Sequence, residues 1–166
     1  MTERFIGVDR SGDFTHPTDH LYFVATRFSR RGELRRVIRL SREKIEELKR
    51  RVADYEEKLS AIMMFIAIDR IFHPGYSIQV DKDYEGRRLK KVRGYLKRLF
   101  GVVNYGRAFS ADPPLEFLPK EYSSLIRHAD KKANLARHKE IKPDESDPNI
   151  EELLKITEEA RRKGLV

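Results

Sequence analysis

The stretch RFIGVDRSGDF, residues 4–14, decides the fold of this chain. It places a short apolar run, Phe5–Val8, directly before the carboxylate of Asp9. An apolar run bounded by turn residues is typical of a buried strand, and Ser-Gly-Asp at 11–13 is a turn signal. The stretch therefore predicts a buried first strand over Arg4–Asp9 that ends in an acidic side chain.

Two more strands are predicted directly after this one. Residues 21–28 are rich in Tyr, Phe, Val and Thr, which strands favour. Residues 30–32 form a turn signal, and residues 34–40 return as a third strand. These three strands are expected to form an antiparallel meander.

A long helix is predicted after the meander. Ser41 is a suitable helix N-cap, and apolar residues then recur at steps of three and four. These residues are Ile45, Leu48, Val52, Tyr55, Leu59, Ile62 and Ile66. The spacing favours one helix lying on a sheet. A coiled coil, or a strand over 62–69, are the alternatives.

Strands and helices alternate through the rest of the chain. The segment YSIQVD, residues 76–81, predicts a strand that again ends in a carboxylate, that of Asp81. Helices are predicted over 86–100 and 121–139, with a strand over 115–118 between them. Residues 141–149 are predicted to be a linker, after which Asp147 caps and Pro148 starts a final helix.

The element order βββ-α-β-α-β-α-α predicts an α/β fold with a mixed five-stranded sheet flanked by helices. Residues 1–140 are expected to form one domain. The linker over 141–149 leads to a C-terminal helix, residues 150–166, that packs on this domain.

The composition limits the function classes. The net charge of +8 and the pI near 9.7 favour a polyanionic partner, above all nucleic acid. The chain has no cysteine, so any metal must be held by carboxylates or histidines. No nucleotide-cofactor motif occurs. The apolar runs are too short to span a membrane, which predicts a cytoplasmic protein, and the charged composition resembles that of thermophiles.

Three aspartates are candidate metal ligands. Asp9 and Asp81 end strands, and they converge if those strands are neighbours. Asp130 lies in the middle of a helix among apolar residues, where a carboxylate needs a partner. Mg²⁺ or Mn²⁺ would be such a partner, because hard cations prefer oxygen ligands. Alternatively, the first two are turn formers and Asp130 pairs with a neighbouring cation.

Two motifs carry a resemblance to a known family. VDRSGDF (Val8–Phe14) and LIRHADKKANLA (Leu125–Ala136) are similar to the first and last motifs of the RNase H-like superfamily, and within it of DUF3800-type proteins. The resemblance covers roughly residues 4–139 and implies an RNase H-like domain. It also implies that Asp9, Asp81 and Asp130 are catalytic metal ligands.

The first motif departs from the family pattern, because Arg10 stands where the family has a second acid. Asp13 and Asp83 are nearby substitutes as metal ligands. RNase H enzymes also take a glutamate from the first helix, and Glu43, Glu46 and Glu47 all remain candidates here.

Unbalanced basic segments predict a phosphate-binding surface. The helix over 87–98 carries seven cations and no acid, and the third strand and its flanks carry six arginines. The residues predicted to contact nucleic acid are Arg10, Arg87, Arg88, Lys90, Lys91, Arg98, Lys131 and Lys132. Tyr84, Tyr95 and Tyr105 are candidates for stacking on bases, although core packing is favoured for Tyr95.

The sequence therefore favours a metal-dependent nuclease or related phosphoryl-transfer domain. The second interpretation is an RNase H-like domain that binds nucleic acid without catalysis. The third is an interaction module that dimerises through the long helix over 45–66. DNA and RNA remain equally open as substrates, and a homodimer remains one option.

Overall fold

The computed structural model describes residues 4–103 and 114–166, and within these ranges the chain is an α/β protein with a mixed six-stranded sheet and five α-helices. The strands are β1 Phe5–Ser11, β2 Leu21–Ser29, β3 Gly32–Leu40, β4 Ser77–Asp81, β5 Leu115–Leu118 and β6 Glu145–Ser146. The helices are α1 Arg42–Lys49, α2 Tyr55–Ile71, α3 Gly86–Val102, α4 Ser124–Arg137 and α5 Glu151–Arg162. A 3₁₀ turn covers Lys120–Tyr122.

The sheet has the strand order β5-β4-β1-β2-β3-β6. The strands β1, β2 and β3 form the predicted antiparallel meander. The strands β4 and β1 are parallel neighbours, with Val8 opposite Val80. The condition under which Asp9 and Asp81 converge is therefore met, and the two residues lie at the same end of the sheet.

Helices cover both faces of this sheet. On one face, α2 packs on β1, β2 and β3, and α3 and α5 pack on α2. On the other face, α4 packs on β1 and β2. The approach of α4 is very close, because a Cβ built on Gly7 would lie 2.6 Å from the backbone carbon of Leu125. Among the described helices, none combines the length and apolarity that crossing a bilayer requires.

The predicted long helix is wrong, because the chain bends between α1 and α2. Asp54 has a left-handed backbone conformation with φ 53°. Its carboxylate accepts hydrogen bonds from Lys91 Nζ and from the Tyr95 hydroxyl, all at 3.2 Å. These partners in α3 hold the bend in place. Residues 62–69 are helical, so the strand alternative is also wrong.

The bend changes what the apolar stripe does. Ile45, Leu59 and Ile62 are fully buried within this chain instead of forming one exposed seam. The sequence interpretation as a module that dimerises through one long helix loses its structural basis, because these side chains already fill the core.

The predicted linker contains the sixth strand, which pairs parallel to β3. Val37 N donates to the Asp144 carboxylate at 2.8 Å, and Ser41 N donates to the Asp147 carboxylate at 2.7 Å. Asp147 therefore supports the start of α1. The prediction that Asp147 and Pro148 begin the final helix is wrong, since α5 starts at Glu151.

Candidate metal centre

Three carboxylates meet where β1 and β4 end. Asp9, Asp81 and Asp83 each offer an oxygen atom, and these atoms all lie within 4.8 Å of one another. Asp83 joins the group because the chain turns back after β4, with Asp83 N donating to the Asp81 carbonyl at 3.0 Å. Asp9 is buried, Asp81 is half-buried and Asp83 is exposed, so the cluster opens to solvent on one side. Such a group could hold a metal ion.

Asp9 is the most constrained member of this cluster. Its side chain is 3% exposed. One carboxylate oxygen accepts from Arg10 N at 2.7 Å, whereas Oδ2 is buried with no hydrogen-bond partner among the described residues. Burial, reinforced by the Asp81 and Asp83 charges, raises the pKa of Asp9 to about 9. A buried oxygen without a donor is costly, and a cation would relieve that cost.

Arg10 belongs to the same site. Its guanidinium Nε lies 3.4 Å from Asp83 Oδ2, and Nη1 donates to the Tyr84 hydroxyl at 3.2 Å. The guanidinium also lies over the rings of Phe14 and Tyr84, at 5.0 and 5.3 Å from their centres. Although Asp83 is exposed as a residue, protein atoms crowd its carboxylate, and this partial desolvation raises its pKa; Arg10 opposes the rise and Asp81 reinforces it. Arg10 thus partly neutralises the cluster.

Asp130 faces this site from α4 but is not one of the three clustered ligands. It pairs with Lys120, with 3.6 Å between Nζ and Oδ2, and its charge contributes to the raised pKa of Asp9. Helix α4 is positioned by the close contact between Leu125 and Gly7. Further along the helix, Ser11 Oγ donates a hydrogen bond to the side chain of Asn134 at 2.9 Å.

Lys120 is a site residue that the sequence analysis missed. Burial opposes its charge, but Asp130, Asp9 and Asp81 outweigh this and raise its pKa. Its position follows from the sheet, because β5 pairs with β4 so that Leu118 lies opposite Asp81. The sequence signal for Lys120 is its position just after β5, the third parallel strand at this end of the sheet.

The other predicted acidic ligands lie elsewhere. Asp13 accepts from the backbone and hydroxyl of Thr15, at 2.9 and 2.8 Å, which lowers its pKa. Glu46 contacts Arg42 and Glu47 pairs with Lys44. Within residues 4–103 and 114–166, Asp13, Glu43, Glu46 and Glu47 contribute no oxygen to the cluster.

A small cavity of about 10 Å³ lies behind the carboxylates, which is room for about one water molecule. Ser60 of α2 lines this cavity, and its hydroxyl is hydrogen-bonded to the Tyr84 hydroxyl at 2.9 Å. Tyr84 is therefore buried in the site wall and is not free to stack on a base. Tyr95 is fully buried, as favoured from the sequence, and Tyr105 lies outside the described residues.

The predicted basic helix has two different sides. Arg88 contacts Glu56 and Glu57, the latter with Nε 2.7 Å from Oε1, and Lys91 pairs with Asp54 at 3.2 Å. These two cations tie α3 to α2, so their role as phosphate contacts is not supported. The acids that bind them come from a distant part of the sequence.

The outer side of α3 is different. Four of its cations are exposed and have no ion pair within the described ranges, namely Arg87, Lys90, Arg93 and Lys97. They form what we call the α3 stripe. Arg98 is half-buried and its Nε lacks a hydrogen-bond partner there. On α4, Lys131 is exposed, whereas Lys132 lies 3.8 Å from Glu33.

Comparison with family models, with curated proteins and with solved structures finds no match to this chain.

Proposed function

We propose that this protein is a divalent-metal-dependent nuclease, or a related phosphoryl-transfer domain, with an RNase H-like arrangement. One observation carries the proposal: the unpartnered, buried Oδ2 of Asp9 in a group of three carboxylates at the ends of adjacent parallel strands. Burying a carboxylate oxygen beside other carboxylates costs free energy unless a cation is bound.

The architecture supports the proposal. The element order that suggests the resemblance is present, with β1 lying between its antiparallel neighbour β2 and its parallel neighbour β4. Both motifs that carry the resemblance then lie at one site, since Asp9 belongs to the first and Asp130 belongs to the second.

The donor set suits Mg²⁺ or Mn²⁺, which prefer carboxylate oxygens. When bound, such an ion would polarise a phosphodiester and lower the pKa of a bound water. Asp9, Asp81 and Asp83 would hold it. Arg10 and Lys120 flank these carboxylates and are placed to bind the non-bridging oxygens of a phosphate.

The α3 stripe supports nucleic acid as the substrate. Helix α3 begins five residues after Asp81, and the four unpaired cations of the stripe are exposed. An exposed row of cations without acids binds a phosphate backbone through charge alone and does not read sequence.

The test combines binding and catalysis. Wild type and Asp81→Asn are compared in thermal melts with EDTA, Mg²⁺ or Mn²⁺, and in cleavage of labelled single-stranded and duplex DNA and RNA. We expect metal to raise the melting temperature of wild type only, and cleavage to require both the metal and Asp81. A wild type without any metal response would contradict the proposal.

The second candidate is a nucleic-acid-binding domain without catalysis, and the contact between Arg10 and Asp83 favours it. A guanidinium 3.4 Å from one carboxylate already supplies part of the charge that a metal would supply. This candidate predicts binding through the α3 stripe with no metal-dependent cleavage of any of the four substrates.

A further inference from the structure

A wide basic groove lies at the opposite end of β1 from the carboxylates. It has a volume of about 1030 Å³, and no acidic side chain lines it within the described residues. Phe5 begins β1 four residues before Asp9, and Arg4 directly precedes it. The two sites are therefore about 13 Å apart along the strand, at about 3.3 Å per residue.

The arginines of this groove divide into fixed and free ones. Arg27 is fixed, because Nε donates to the Ile71 carbonyl at 2.7 Å and Nη1 to the Tyr76 hydroxyl at 3.2 Å. Its guanidinium also lies 4.9 Å from the centre of the Tyr76 ring. Arg4, Arg30 and Arg31 are exposed and have no ion pair with any other described residue.

The nearest acid does not neutralise these free cations. Glu33 lies beside the groove, but its carboxylate is already shared, with His128 Nε2 at 3.0 Å, Arg35 at 3.8 Å and Lys132 at 3.8 Å. Three positive charges without an ion pair in residues 4–103 and 114–166 thus line one concave surface.

An aromatic ring stands among them. Phe28 is 51% exposed at the end of β2, so one face of its ring is open to solvent. The His128 ring supports it from one side, with the ring centres 5.0 Å apart. Arginines that bind phosphates, together with an exposed ring that can stack on a base, are the two elements of single-strand recognition.

We propose that this groove binds single-stranded nucleic acid, with phosphates on Arg4, Arg30 and Arg31 and a base on Phe28. The inference rests on nucleic acid being the polymer that this protein acts on, but not on the metal. A duplex keeps its bases stacked on one another and would leave Phe28 without a partner, so single strands fit the groove better.

The test is fluorescence anisotropy of a labelled oligothymidine in EDTA, measured over a series of salt concentrations with the full chain. The variant Arg30→Gln/Arg31→Gln should lower affinity about tenfold and reduce the salt slope by about 1.4, at about 0.7 for each phosphate contact. Phe28→Leu should lower affinity about five-fold or more and leave the salt slope unchanged, because stacking releases no counterions.

A matched control is Lys49→Gln/Arg50→Gln, which removes the same charge from two exposed residues at the end of α1. It should leave affinity within about two-fold of wild type, since its site has no ring or groove. Circular dichroism melts establish that each variant folds.

Several outcomes would overturn the inference. Equal losses in the groove and control variants would show a general charge effect. An unchanged affinity of Phe28→Leu would show that the groove binds anions without stacking on a base. The same conclusion would follow if the groove variants weakened the binding of heparin and of duplex by the same factor as the binding of oligothymidine. If Arg87→Gln/Lys90→Gln weakens binding while the groove variants do not, the inference fails and the proposed function stands. If neither set changes the affinity, the groove is not the binding surface and the inference fails; if wild type itself does not bind the oligonucleotide, the proposed function fails as well.

Discussion

The two ends of β1 carry charged residues of opposite sign, and the two groups differ in their exposure to solvent. At the carboxyl end, Asp9 is buried beside two other acids, and one of its oxygens has no donor. At the amino end, Arg4, Arg30 and Arg31 are exposed to solvent. Crowding buried charges costs free energy, whereas crowding solvated charges costs little. The acidic end is therefore the stronger indication of a ligand. The basic end gains significance only from its exposed ring and from the lack of acids among the described residues that line it.

The largest expected effect comes from Asp9→Asn. The raised pKa means that folded, metal-free wild type keeps a proton that the unfolded chain has lost, so its stability falls as the pH rises from about 4 towards about 9. Asparagine does not titrate, so the variant should become more stable than wild type, by about 1–3 kcal/mol at pH 8.

Urea unfolding of both proteins in EDTA at pH 5, 7 and 8.5 measures this difference. The variant should also lose the stabilisation by Mn²⁺. A stability gap that stays constant with pH would show that Asp9 is ionised in the folded protein.

The affinity for Mn²⁺ should rise steeply with pH. Binding requires Asp9 to lose its proton, so affinity should increase about tenfold for each pH unit between pH 6 and pH 8. Calorimetric titrations in buffers of different ionisation enthalpy would report the released proton directly. Affinity that is independent of pH would place the metal away from Asp9.

The two sides of α3 allow a matched comparison. Arg87→Gln/Lys90→Gln removes two unpaired cations, and we expect the salt slope of oligonucleotide binding to fall by about 1.4. Arg88→Gln/Lys91→Gln removes two cations that pair with α2. This variant should leave the slope unchanged and lower the free energy of unfolding by about 1 kcal/mol or more, because the two cations are about half exposed whereas their acidic partners are mostly buried. The reverse pattern would mean that the ion pairs open when nucleic acid binds.

The smallest expected effect concerns Arg10. Arg10→Gln removes the guanidinium near Asp83 and should tighten Mn²⁺ binding about three- to ten-fold, since a competing cation is gone. Arg10→Lys retains the charge and serves as the control. Weaker metal binding by Arg10→Gln would instead show that this side chain orders the carboxylates.

Much of the site could be predicted from the sequence because strands impose simple geometry. Asp9 and Asp81 each end a predicted strand, and parallel pairing brings such ends together. Asp83 was recognised as a substitute ligand by its nearness to Asp81. The α/β class and the meander followed from the apolar pattern, which is the dominant local signal.

The features that could not be predicted from the sequence depend on contacts between residues that are far apart along the chain. The break at Asp54 is held by residues 37 and 41 positions later, while the apolar spacing continues through it. Arg88 looked unbalanced because its acids lie about 31 positions earlier. The two-residue β6 carries no apolar pattern, and is defined by backbone hydrogen bonds to β3.

Gly7 determines how closely α4, which carries Asp130, approaches the carboxylate site. Any side chain at this position would meet the backbone of Leu125, so α4 can rest on β1 only while residue 7 has no Cβ. An alanine there would hold the helix away from the strand and carry Asp130 apart from Asp9. The spacing of the charged groups in this site is thus determined by a missing methyl group, on a residue that has no chemistry of its own.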